Sequence, residues 1–345
     1  MKNDPLPETV RILKMNDWQT KLKGDSLSWL LEPDEANPGV RCFALRDLLD
    51  RPETDPDVIQ AGRDIMTTGP VPVILNAQAP EGYWVKPGSG YTPSYRSTVW
   101  QIMFLAELGA DPTDERVRRG CDYLLGHAIA KNNAFSMSRR PVPSSVVHCL
   151  NGDILAALLR LGYIADPRVQ AAIDWQARAI TGEGEVRYYK SGTSGPNFWC
   201  GYNQGQSCAW GATKAMKALL AIPSEQRSPL VQRATKVGAE FLLSRDPAVA
   251  DYPYTERVNT SWFKFGFPLS YRSDVLETVS VLVALGYSRD PRLANARQLI
   301  LSKQDSRGRW LMERTLRGKM WIDIEQQGQP SKWITLRALR ALNDF

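Results

Sequence analysis

Apolar positions fall into two kinds of segment that alternate along the chain. Residues 98–108, 154–161, 209–220 and 275–285 are apolar on nearly all sides, the pattern of a helix buried by its neighbours. Each is followed, after a Gly or Pro break, by a more polar helix carrying a narrower apolar stripe: 115–125, 168–177, 230–243 and 292–303. Adding 40–49 at one end and 334–342 at the other predicts six inner helices and five or six outer ones. The breaks are themselves repeated, as LGADP at 108–112, LGYIADPR at 161–168 and LGYSRDPR at 285–292. These repeats predict an all-α chain of helix pairs, closed into an α/α toroid or stacked as an open solenoid. Six pairs in a chain of 345 residues favour closure. The reading gives one toroid domain over 40–345, with 1–39 as an extension whose short helices pack on the barrel.

A second signature recurs at two joints. Gln78-Ala-Pro-Glu-Gly82-Tyr-Trp84 and Gln304-Asp-Ser-Arg-Gly308-Arg-Trp310 share the spacing Gln, three residues, Gly, one residue, Trp. The Gly supplies a turn beyond a helix end, the Gln satisfies end groups of a neighbour, and the Trp seals the joint between hairpins.

Composition narrows the function classes. Hydrophobic content of 43%, with 11 Trp, 12 Tyr and 9 Phe, suffices for a large core and an aromatic cavity lining. The excess of 43 Lys+Arg over 37 Asp+Glu is spread along the chain, which argues against nucleic acid as a partner. The sequence shows no apolar run of spanning length and no leader pattern, so a cytoplasmic location is expected. Five Cys at irregular spacing point to reduced thiols, some of them free to serve as metal ligands.

The paired Gln-Gly-Trp joints resemble the QW motif of squalene–hopene cyclases, and the helix alternation over 40–345 resembles the barrels of terpenoid cyclases and protein prenyltransferase β-subunits. The chain reads as a divergent, bacterial-type, single-domain relative of those toroids. The resemblance implies an enzyme acting on an isoprenoid or similar apolar substrate in a central cavity, by cyclisation or transfer; a non-catalytic binding or scaffold toroid with a structural zinc is the alternative. The prenyltransferase side also implies a helical partner subunit.

In a toroid the inner helices run the same way, so the segments before them collect at one end, where chemistry is expected. Three groups of residues arrive there. His148, Cys149, Cys200 and Cys208 precede two consecutive inner helices and offer thiolate and imidazole ligands suited to zinc. Ser207-Cys208-Ala-Trp210 resembles the zinc Cys segment of the prenyltransferases and His148-Cys149-Leu-Asn-Gly152 their zinc His segment, although in the opposite chain order and without their Asp ligand; lanthionine synthetase cyclases, on a similar barrel, use two Cys and one His. Buried packing is the competing role for these four. The second group is acidic: Asp274 and Asp153 at inner-helix starts, and Asp323 with Glu325 before the last one. The resemblance makes Asp274 a candidate proton donor, yet the run is Ser273-Asp274-Val-Leu-Glu277 and DxDD is missing; helix capping is the competing role. The third group is aromatic with one cation, Tyr95, Arg96, Trp100, Trp199, Tyr202, Trp210, Trp262, Phe265, Tyr271 and Trp333, the candidate lining for a polyene and its cations. DDxxD, a phosphate loop, GxGxxG before a helix and GxSxG are all missing, so no nucleotide cofactor is expected.

Overall fold

The computed structural model describes residues 19–183, 196–203, 205–249 and 259–343, and thirteen α-helices make up nearly half of them. They are α1 (Ser26–Leu31), α2 (Pro38–Asp47), α3 (Pro56–Thr67), α4 (Pro70–Asn76), α5 (Thr98–Leu108), α6 (Glu115–His127), α7 (His148–Arg160), α8 (Pro167–Thr181), α9 (Ala209–Leu220), α10 (Pro229–Leu243), α11 (Val275–Leu282), α12 (Ala294–Ser302) and α13 (Lys332–Asn343). The inner set is α2, α5, α7, α9, α11 and α13. Contacts run from α5 to α7, α9, α11 and α13 in turn, and α13 returns to α2. Helix α2 also meets the end of α5, where a methyl on Gly39 would stand 2.7 Å from the Leu108 carbonyl and one on Gly109 would meet the Phe43 ring at 2.8 Å. The fold is therefore an α/α toroid and not an open solenoid. Outside it, α3, α6, α8, α10 and α12 form the second layer, and α1 lies against α2 and α13 in the remaining gap. No helix among the described residues is long and apolar enough to cross a membrane.

The repeated breaks have a common local cause. Gly109, Gly162 and Gly286 adopt φ of +84°, +85° and +94°, a left-handed exit that other residues enter at a cost. After Gly162 and Gly286 the Asp of DPR caps the next helical turn and its Arg folds back on it; after Gly109 the cap is Asp114, beyond the Asp111 of LGADP. Asp166 accepts from the Arg168 amide at 2.8 Å and from its guanidinium at 3.0 and 2.6 Å; Asp290 and Arg292 repeat this at 2.9, 2.9 and 2.7 Å. Pro fills the first helical position, where no amide partner is needed.

The two Gln-Gly-Trp joints share their bonding. Trp84 and Trp310 are wholly buried, and each indole Nε1 donates at 2.7 Å to the isoleucine carbonyl ten residues earlier, Ile74 or Ile300. Each Trp amide donates to a Thr hydroxyl on the next inner helix, Thr98 at 3.2 Å and Thr335 at 3.0 Å. Gln78 reaches the Arg116 carbonyl at 2.9 Å, while Gln304 ties down the segment before α1 through Lys21 and Lys23. Trp84→Phe and Trp310→Phe each keep a six-membered ring, lose one buried hydrogen bond and leave a void where the rest of the indole stood. Each is expected to lower unfolding free energy by about 2–4 kcal/mol, measured by urea titration.

The largest boundary difference from the sequence reading is at α7. The helix expected from 154 begins at His148, because Asn151 satisfies the local backbone: its amide donates to the carbonyls of Phe135 at 3.1 Å and Val147 at 2.9 Å, and its carbonyl accepts from the Phe135 amide at 2.7 Å. Asp153 consequently sits in the second turn of α7 facing the interior, and not at a helix cap.

Candidate functional site

Inner helices of this kind are apolar, so each charge they carry has to be exposed or paired. Here the charges meet on the axis of the ring. Lys214 of α9, fully buried, lies 3.1 Å from Asp153 of α7 and 2.9 Å from Glu277 of α11. One turn along, Lys217 reaches Glu107 of α5 at 2.8 Å, Glu277 at 3.3 Å and Asp153 at 3.4 Å. Ser273 donates to Glu277 at 2.7 Å, and beside this ladder Thr213 and Thr278 share a hydrogen bond of 2.8 Å. Four of the six inner helices are cross-linked by charge in this way. Gly152 permits it: a methyl there would lie 2.3 Å from the Lys214 carbonyl, so α7 and α9 touch backbone to backbone.

The two carboxylates that share the lysines are driven apart. Burial pushes Asp153 up to about 6, against the pull of Lys214 and Lys217 and with Glu277 and Glu107 adding to the rise. Burial also works to raise Glu277, but Lys214, Lys217 and Arg337 outweigh it and hold that carboxyl at about 2. The second oxygen of Asp153 is buried with no hydrogen-bond partner among the described residues.

A cavity of about 390 Å³ lies over the outer end of this ladder. Its apolar side comprises Leu159, Leu220, Phe267, Leu269, Val281 and Trp333; its charged side comprises Glu107, Lys217, Glu277 and Arg337, with Arg160 and Arg340 nearer the surface. Trp333 stacks on Phe267 at 4.2 Å and 9°, with its indole N–H held by Asn37 at 2.9 Å. Most of the lining comes from the later turns of the inner helices. The sequence reading had looked to their N-termini; the cavity takes Phe267, Leu269 and Trp333 from that side and Glu107, Lys217 and Arg337 from beyond the first turns.

The expected residues are distributed as follows. Asp274 caps α11 and is wholly enclosed: its oxygens accept from the Glu277 amide at 2.8 Å, the Gly266 amide at 3.2 Å and the Arg337 guanidinium at 2.9 and 3.2 Å. Every lone-pair direction is occupied, so this carboxylate ties α11, α13 and the Gly266 loop together. Asp323 is exposed and accepts from the Gly318 amide at 2.7 Å. Burial raises Glu325 to about 7 while it binds the Ser331 hydroxyl and the Lys332 amide at the start of α13. Tyr95, Trp100 and Tyr271 form a ring cluster, with centroids 4.9 and 6.2 Å apart, at the N-terminal end. Arg96 is exposed, bonded to the Lys319 carbonyl at 3.2 Å. Trp210 lies under Arg272 at 5.9 Å, and Trp199 packs on Gly205 in a short hairpin. Trp262 and Phe265 are core residues, 1% exposed. Among the described side chains of the expected aromatic set, Trp333 alone lines the 390 Å³ cavity. The side chain of Tyr202 falls outside the described residues.

Of the residues expected to hold zinc, the thiols gather. The Cys208 thiol bonds that of Cys200, which with burial and the nearby Cys149 raises it well above an ordinary thiol; burial lifts Cys149 to about 12. His148 accepts at Nδ1 from the Gln176 amide at 2.7 Å beside the rings of Phe198 and Trp175, and burial lowers it to about 3. Among the described residues no group of three or more His, Cys, Asp or Glu is disposed to share an ion. Among the described residues the four do not meet as one ligand set.

Sequence reasoning passed over Lys214, Lys217, Glu107 and Arg337. A signal was present: two lysines three apart inside the otherwise apolar run 209–220, and a Glu inside 98–108. On helices buried on all sides, such charges have only one another and the axis to turn to.

Fold and site together define an α/α toroid whose axis carries a charged ladder opening into a half-apolar cavity. No family model matches the chain, and no curated protein matches it. Solved structures resemble it at low identity. The type II terpene cyclase MstE from Scytonema is 14% identical with a TM-score of 0.45, over 90% of this chain and 87% of that one. A glycosyl hydrolase of family 88 from Bacteroides vulgatus is 12% identical with a TM-score of 0.47, over 90% of each chain. A protein from Actinoplanes is 14% identical with a TM-score of 0.44, over 93% of this chain and 96% of that one.

Proposed function

We propose that the chain is an enzyme of the terpene-cyclase-like or prenyltransferase-like kind, taking an isoprenoid or similarly apolar substrate into the 390 Å³ cavity for cyclisation or group transfer. The division of the cavity wall carries the reading. An apolar chain is received by Leu159, Leu220, Leu269 and Val281, while the stacked Trp333–Phe267 pair offers ring faces to positive charge developing on it. Opposite them stands Glu277, kept ionised and therefore able to stabilise the same charge through space. Lys217 and Arg337 restrict the orientation of any polar group on the substrate.

Binding and turnover on a panel of polyprenyl alcohols and diphosphates test this. Ser280→Phe, which fills the cavity from α11, is expected to weaken binding about tenfold or more with the melting temperature nearly unchanged. Glu277→Gln, checked for folding by circular dichroism, is expected to reduce turnover about 100-fold. Wild-type turnover retained in Glu277→Gln would remove that residue from the chemistry. Binding without turnover by the wild type would make the protein a small-molecule-binding toroid.

A further inference from the structure

A second, larger cavity of about 1090 Å³ lies between the α2–α3 hairpin and the ends of α5 and α7, and Glu107, Arg160 and Arg340 line both it and the 390 Å³ cavity. The charges at this shared wall are unequally satisfied. Glu107 is occupied by Lys217 and by the Leu269 amide at 3.2 Å. Arg340 is bonded through one nitrogen to Asp47 and lies over the Phe43 ring at 4.7 Å, yet its Nε is buried with no partner among the described residues. Arg46 stacks on the same ring at 5.0 Å and shares Asp47. The Arg160 side chain has neither ion pair nor hydrogen bond among the described residues, although it ends α7 beside the opening. One carboxylate is thus divided between two arginines, Arg46 has only the exposed Glu53 besides, at 3.4 Å, and a third arginine points into the shared space unpaired. Burial is the main influence lowering Arg340 to about 10; Asp47 opposes it, and the like charges of Arg160 and Arg46 add to it.

We propose that Arg160 and Arg340 form an anion-binding site at the wall shared by the two cavities, receiving a phosphate or carboxylate head group whose apolar chain lies in the 390 Å³ cavity. The proposal takes that cavity as the substrate seat, as argued above, and adds the chemistry of the substrate's polar end. An anion there completes the open nitrogen of Arg340 and supplies a partner for Arg160. The Arg fork suits both head groups, since each presents two oxygens in a plane.

Calorimetric titration with farnesol, farnesyl monophosphate and farnesoic acid separates the possibilities, using wild type, Arg160→Gln and Arg340→Gln. Both anions are expected to bind at least about tenfold more tightly than the alcohol, with the advantage largely lost in Arg160→Gln and weakened by added salt. A preference for one anion identifies the head group as phosphate or as carboxylate. Equal binding of all three, or an anion preference that survives Arg160→Gln, overturns the site while leaving the apolar cavity standing. If none of the three binds, the isoprenoid reading fails and inorganic pyrophosphate becomes the probe: a rise in melting temperature seen in wild type and lost in Arg160→Gln supports the site, and no rise overturns it. Arg160 is exposed and unpaired, so its replacement leaves the fold intact.

Discussion

Replacing Lys214 by Met is expected to cost about 3–5 kcal/mol of unfolding free energy, read as a large fall in the urea midpoint, because it strips the shared cation from Asp153 and Glu277 inside the ring. Removing the whole cluster is a different perturbation. A variant combining Lys214→Met with Asp153→Leu and Glu277→Leu should recover much of the loss, since no uncompensated charge is then left behind. A triple variant as unstable as the single one would show that the lysine stem, not its charge, holds α7, α9 and α11 together.

The same ladder sets a pH dependence whose two halves have opposite sign. Glu277 is held at about 2, below an unfolded glutamate, so its contribution is complete above the unfolded value and is lost as pH falls from about 4 towards 2. Asp153 is raised to about 6, above an unfolded aspartate, so the folded state takes up a proton first and gains stability as pH falls from about 6 to 4. Stability from the ladder is expected to peak between these windows, near pH 4–5. In Asp153→Asn the rise between pH 6 and 4 should vanish while the loss at lower pH remains.

The second large effect is expected at Gly152. A Cβ at this position stands 2.3 Å from the Lys214 carbonyl carbon and oxygen and 2.6 Å from the Ala215 amide nitrogen, and all of these are helix backbone that cannot rotate away. Gly152→Ala should cost about 3 kcal/mol, and Gly152→Val should prevent folding, because separating α7 from α9 also lengthens the Lys214 ion pairs. Gly62 provides the contrast. It lies in α3 with no atom within 4 Å of its would-be Cβ, so Gly62→Ala should stabilise by up to about 1 kcal/mol. Equal behaviour of the two alanine variants in thermal melts would count against close helix contact as the role of Gly152.

Much of the ring was legible in the chain. The all-apolar runs at 98–108, 209–220 and 275–285 became α5, α9 and α11, and the Asp-Pro-Arg breaks became capped starts of outer helices, because burial on all sides and local capping leave direct marks on residue order. The site was legible only in part. Asp153 and Asp274 were picked out as carboxylates near helix starts, but their environments depend on residues far away in sequence: Arg337 encloses Asp274, and Lys214 leaves Asp153 with one oxygen unmet. Taken singly, Lys214 and Lys217 do not declare which groups they face. Their burial follows from which side of α9 faces the axis, and that is settled by α7 and α11 together. Likewise Tyr95, Trp100 and Tyr271 cluster on one another, while the cavity drew on Trp333 and Phe267 from α13 and the loop before α11.

Closure of the ring joins the first inner helix to the last. Trp333 donates to Asn37 across 296 residues, Arg340 pairs with Asp47, and Lys23 with Gln304 secures α1 over the same seam. A chain emerging from the ribosome makes its neighbouring hairpins early, but α2 must wait for nearly the entire sequence before its partner arrives. During that interval the apolar flanks of α2 and of the growing edge stay open to water, and the loop to be closed is long. Synthesis, more than the finished molecule, is therefore the stage at which this protein is exposed to aggregation, and α13 is the element that ends the exposure.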